Sequence, residues 1–82
     1  MTRFEVVRVD DVPERAGILL TGREQEGMVT VGTTLQDEPT GNQWEVQGLE
    51  FPTPWARQEG LTILRVARTG AEPPKPGAQL TV

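Results

Sequence analysis

The chain has 82 residues, no cysteine, no histidine, and a net charge of −4 from 12 acidic residues against seven Arg and one Lys. A chain this short buries only about 60% of the surface that its unfolded form exposes, so it is expected to be a single domain, 1–82, with one core. The missing residue types exclude disulfides, thiolate and imidazole metal sites, cysteine and serine–histidine nucleophiles and histidine-based pH switching.

The acidic balance repels phosphate backbones, so nonspecific nucleic-acid binding is not expected. No apolar run approaches the roughly 20 residues needed to span a bilayer, and MTRFEVVRVDD carries no apolar leader. A cytoplasmic location without membrane contact is the expectation. The excess of arginine over lysine points to a GC-rich coding sequence and hence to a bacterial source.

In chain order, FEVVRV (Phe4 to Val9) is short and β-branched, and Asp10-Asp11-Val12-Pro13 ends it in a turn where proline stops the ladder. GILLTG, residues 17–22, reads as a second strand. Arg23-Glu24-Gln25-Glu26 is polar throughout and is expected to be the exposed, twisted part of a hairpin. MVTV, from Met28 to Val31, reads as the third strand, with Gly27 supplying a positive φ before it. Leu35 closes that unit, and Gln36 to Gln43 is expected to be a loop.

WEVQGLEF alternates but changes phase. Trp44 and Val46 share one face while Leu49 and Phe51 have the opposite parity, so a β-bulge is expected at Gly48. Phe51 to Gly60 is a connection stiffened by Pro52 and Pro54, and Pro54 to Gly60 is the one stretch with room for a helical turn. LTILRVAR, residues 61–68, is the longest strand candidate, apolar on both faces before it shows Arg65 and Arg68. Pro73-Pro74-Lys75-Pro76 is expected to form a stiff turn, and QLTV a closing strand in which Leu80 and Val82 point the same way. Six or so short strands with glycine-rich turns predict an all-β fold, a small closed six-stranded antiparallel β-barrel, because closure removes edges that no helix is available to cover.

The order of motifs then carries a resemblance. Phe4 to Val9, Asp10-Asp11-Val12, Gly17-Ile18-Leu19-Leu20-Thr21-Gly22-Arg23 and Glu26-Gly27-Met28-Val29-Thr30-Val31-Gly32 resemble the second domain of the translational GTPases, the elongation factor Tu domain 2-like barrel. Val46-Gln47-Gly48-Leu49-Glu50, Gly60 to Arg68, and Lys75-Pro76-Gly77-Ala78-Gln79-Leu80 continue the likeness in order. In that family the barrel is a docking module that contacts the GTPase domain, the small ribosomal subunit or the aminoacyl end of tRNA. No G-x-x-x-x-G-K-[ST] loop occurs in this sequence, so GTP binding and hydrolysis are not expected. Asp10, Asp11 and Val12 match the start of the family's aminoacyl-contacting stretch, but Pro13 stands where a phenylalanine would and Thr62 where an asparagine would. Recognition of aminoacyl-tRNA is therefore not expected.

Gly22, Gly27 and Gly32 are read as fold glycines: Gly22 permits the twist between paired strands, Gly27 takes a turn and Gly32 lets the chain curl away. Asp10, Asp11 and Glu14 are read as turn formers, since three acids of one loop leave most positions around a hard cation to water; no metal and no cofactor is expected. Trp55, in Pro52-Thr53-Pro54-Trp55-Ala56-Arg57, is either an interface anchor or a lid on the barrel, and Trp44 is core. The functional expectation is a non-catalytic interaction module, not an enzyme, which docks on a protein or ribonucleoprotein partner through Trp55 and Arg57 with Arg65 and Arg68 nearby. The alternative is a barrel that binds a small molecule or an oligonucleotide.

Overall fold

The structure, a computed structural model, describes residues 2–11 and 17–82. The expectations placed on Val12, Pro13 and Glu14 lie outside the described residues. The elements are β1 (Arg3–Asp10), β2 (Gly17–Glu26), β3 (Thr34–Asp37), β4 (Asn42–Glu50), α1 (Pro54–Gln58), β5 (Thr62–Ala67) and β6 (Gln79–Thr81). The six strands close into an antiparallel barrel in the order β1-β2-β5-β4-β3-β6, as the strand pattern predicts.

Alternation along the strands fills the interior. Phe4 and Val6 of β1, Ile18 and Leu20 of β2, Leu35 of β3, Trp44 and Val46 of β4, Leu64 and Val66 of β5 and Leu80 of β6 form one buried cluster, joined by Val29 from a loop. Every strand thus contributes at least one large apolar side chain. The outer face is apolar at one place only among the described clusters, where Ala56, Leu61 and Ile63 pack with Val7 and Leu19. The double-sided apolar pattern of residues 61–66 is explained by this: Leu64 and Val66 face inward, while Leu61 and Ile63 lie beneath α1.

Closure of so small a barrel needs sharp bends. The β1–β2 ladder shifts between Val6 and Arg8, and the β4–β5 ladder between Val46 and Gly48, so each strand carries a bulge where twist increases. The second is the bulge expected at Gly48. It re-phases β4 without burying the residues that motivated it: Leu49 stays 51% exposed and Phe51 96% exposed. Phe51 lies past the last residue of β4, where no ladder covers it. Gly22 is required for a different reason than twist alone. A Cβ there would lie 2.0 Å from the Glu5 carbonyl oxygen and 2.7 Å from the Phe4 ring, so β1 and β2 approach as closely as they do because the position has no side chain.

Four sequence expectations are corrected. Residues 23–26 continue β2, because Arg23 and Glu26 lie opposite Glu5 and Arg3 of β1, and ladder hydrogen bonds need no apolar side chains. Met28 to Val31 is a loop and the third strand is Thr34–Asp37. Left-handed φ values at Gly27 (67°) and Gly32 (94°) bracket this loop, and between two such turns the chain cannot hold a ladder. Only Val29 is turned inward. The expected loop Gln36 to Gln43 shrinks to a four-residue turn, since Gln36 pairs with Gln43 and Asp37 with Asn42. Asp37 closes that turn by accepting from the Thr40 and Gly41 N–H groups at 3.2 and 2.8 Å. Val82, expected to share a face with Leu80 in the closing strand, lies just beyond β6 and is exposed while Leu80 is buried; its N–H donates to the Thr2 carbonyl at 3.2 Å.

The loop between β2 and β3 is fastened by one carboxylate. Glu24 accepts from the Val29 N–H at 2.6 Å and from the Thr62 hydroxyl at 2.9 Å. Backbone bonds on the other side, Gly32 N–H to Val46 O and Val46 N–H to Thr33 O, both 2.8 Å, hold the loop against β4. Val29 is thereby set as a plug in the barrel interior.

Candidate functional site: the face of helix α1

Residues 51–61 build a short, stiff platform on the outside of the barrel. Thr53 is the N-cap, in extended conformation, and its hydroxyl accepts from the Ala56 N–H at 3.2 Å while Pro54 opens the helix, a position where the missing N–H costs nothing. At the other end Gly60 adopts φ 70°, the Leu61 N–H donates to Ala56 O at 2.8 Å and the Gly60 N–H to Arg57 O at 3.2 Å. That pair of bonds with an apolar contact between Leu61 and Ala56 is the Schellman arrangement. The helix end is also tied sideways, because Arg23 of β2 donates to the Glu59 carbonyl at 3.1 Å. A five-residue helix has little stability of its own; here both ends are capped and the middle is anchored.

The anchor is Ala56. It is fully buried against Leu61 and Ile63, so Trp55 and Arg57 on either side of it stand toward solvent. Trp55 is 45% exposed and belongs to neither apolar cluster, unlike the buried Trp44. Trp44 is in the core, as expected, with its indole Nε1 buried and unpartnered among the described residues. Arg57 makes no ion pair or side-chain hydrogen bond with another described residue. Phe51, which the sequence reading did not single out, is only four residues from Trp55, at most about 14 Å along the chain. The signal for it was its place after the final ladder residue of β4 and before Pro52.

The other arginines are occupied differently. Arg65 leaves the outer face of β5, lies over Gly48 and pairs with Glu50 at 3.1 Å. It sits two residues, about 7 Å, beyond Ile63 under the helix, at the margin of the platform. Arg68 follows the end of β5 and pairs with Asp11, some 16 Å further along than Ile63 by strand spacing. The structure therefore sets Trp55 and Arg57 on one short helix with Phe51 three residues before it in the chain, Arg65 two residues along β5 from Ile63, and Arg68 beyond the end of that strand.

Asp10 bonds Arg8 at 3.2 Å, so both acids of the Asp10-Asp11 turn are in ion pairs with arginines. No group of three or more carboxylates converges among the described residues. Gly27 and Gly32 take left-handed turns beside the Val29 plug. Among the described residues no helix is long and apolar enough to cross a membrane. Comparison with protein-family models, with curated proteins and with solved structures returns no match.

Proposed function

We propose that this barrel is a non-catalytic interaction module that docks on a protein or ribonucleoprotein partner through the outer face of α1. The observation that carries the reading is a tryptophan left nearly half exposed on a helix whose two ends are both tied down. Large aromatic side chains release most binding energy when their backbone is ordered beforehand, because less freedom is lost on association. Phe51 enlarges the apolar area, and Arg57, with no partner of its own among the described residues, supplies a charge for a carboxylate or phosphate on the other side. Arg65 fits at the rim, where it can exchange Glu50 for a group of the partner.

Two sequence features agree with this. Cysteine and histidine are missing altogether, and the motif order resembles the translation-factor barrel, a docking domain in that family. The seat of the contact would differ from the family's aminoacyl-tRNA surface, whose phenylalanine and asparagine are replaced here by Pro13 and Thr62.

The test is capture from a cell extract by the immobilised protein, with and without nuclease, beside a Trp55→Ala/Arg57→Ala double variant of unchanged melting temperature. A partner retained by the parent and lost by the variant supports the reading, and its sensitivity to nuclease distinguishes a ribonucleoprotein from a protein. Equal capture by both forms refutes the face.

A further inference from the structure

A cavity of about 290 Å³ opens on a different side of the molecule, between the β3–β4 turn and the proline-stiffened segment that precedes β6. Its lining includes Asp37 and Asn42 from the turn and Glu72, Pro73, Pro74 and Lys75 from the facing segment. None of these belongs to the α1 face. The walls are held by backbone bonds and, among the lining side chains, by the Thr40 hydroxyl alone. On one side the Asp37 carbonyl takes the Thr40 and Gly41 N–H groups, and the Thr40 hydroxyl receives the Asn42 N–H at 3.2 Å. On the other, the Ala78 N–H donates to Lys75 O at 3.0 Å, and Gly77 and Ala78 are stitched to Val6 of β1 by bonds of 2.7 and 2.9 Å. Pro74 is buried, which fixes the strap against the barrel.

Four of the lining residues have polar side chains that are unspent. The side chains of Asp37, Asn42, Glu72 and Lys75 have no hydrogen-bond or ion-pair partner among the described residues. Two carboxylates, one ammonium and one amide around flat proline walls form a mixed lining of the kind that orients a small ligand: a few polar groups on an apolar frame. The charges dictate the ligand. A bare cation gains from Asp37 and Glu72 but meets Lys75; a bare anion meets both carboxylates. A molecule with one end of each sign satisfies all three.

The geometry points to a binding site for a small zwitterion of amino-acid size with a basic side chain. Its cationic group lies against Asp37 and Glu72, its carboxylate at Lys75, and its aliphatic stem along Pro73 and Pro74. A guanidinium suits the cationic end, because it pairs with carboxylates in a fork and lies flat on apolar surfaces.

Amide-shift titrations of the full chain with L-arginine and with agmatine, which lacks the carboxylate, test the assignment. Arginine is expected to give saturable shifts confined to residues 37–42 and 72–78. Asp37→Asn is expected to weaken both probes about tenfold or more, the usual loss when a charged hydrogen-bond partner is neutralised. Lys75→Ala is expected to weaken arginine but not agmatine, whose second ammonium is repelled by Lys75 and which therefore binds no worse without it. The proposal is overturned if arginine shows no saturation up to about 10 mM, where binding energy has fallen below that of the weakest specific ligands, if shifts spread over α1 and the outer strands, or if agmatine binds as tightly as arginine. Thermal melts of both variants, expected to match the parent, separate lost binding from lost folding.

Discussion

Replacing Glu24 by alanine is the sharpest test of how the barrel is plugged. The carboxylate takes the Val29 N–H at 2.6 Å and the Thr62 hydroxyl at 2.9 Å, and removing it leaves a part-buried backbone donor with nothing to bond. Hydrogen bonds to charged groups contribute about 1.5–3 kcal/mol each, and the part-buried position argues for the lower end, so the pair amounts to about 3 kcal/mol. A chain of this length has a total stability of about 4–12 kcal/mol, and each kcal/mol moves the melting temperature by about 4–8 °C. Glu24→Ala is therefore expected to melt about 12–24 °C lower, with an unchanged urea m-value. The Val29 amide, protected in the parent, is expected to exchange faster than the amides of β5. Glu24→Gln retains an acceptor for Val29 and a donor toward the Thr62 oxygen, and is expected to lose less than about 1 kcal/mol. If Glu24→Ala unfolds within about 0.5 kcal/mol of the parent while Val29 stays protected, the carboxylate does not fasten the loop.

Two further predictions concern the glycines and the tryptophans. Gly22→Ala forces a methyl group to 2.0 Å from a backbone oxygen that cannot swing aside, and is expected to cost about 3 kcal/mol or more. Gly32→Ala meets nothing within 4 Å and bears only the left-handed backbone penalty of about 1–2 kcal/mol; urea denaturation of the two variants checks the order. Trp44 is buried and Trp55 nearly half exposed, so Trp55→Phe is expected to leave a short-wavelength emission resistant to iodide, and Trp44→Phe a longer-wavelength one that iodide quenches. Matching quenching in the two variants would contradict the assignment of core and surface indoles.

What the sequence made readable was local. Short apolar runs and alternation located β1, the start of β2, β4 and β5, and Pro54 and Gly60 bounded the stretch that holds the only helix among the described residues. What it hid was non-local. Polar Arg23 to Glu26 became strand because β1 lies opposite, and apolar Met28 to Val31 did not, because two left-handed glycines bracket it. At the α1 face, the Pro52 to Arg57 motif identified Trp55, but its exposure depended on which neighbour the barrel would take. It took Ala56, the smallest residue of the turn, which lets the helix sit close over Leu61 and Ile63. Nor does spacing in sequence disclose that Glu50 holds Arg65 or that Asp11 meets Arg68.

The shortest strand has the widest effect on folding kinetics. β6 has three residues, yet Arg3, Phe4 and Glu5 of β1 pair with it on one side and Gln36 and Asp37 of β3 on the other. The seam thus joins residues nearly 80 positions apart, and the search for it comes after most of the chain has lost its freedom, a topology associated with folding in milliseconds to seconds. During synthesis the first five strands would be held as an open sheet, with the free edges of β1 and β3 exposed, until residues 79–81 left the ribosome. Over that interval the chain is most vulnerable to pairing with a neighbour.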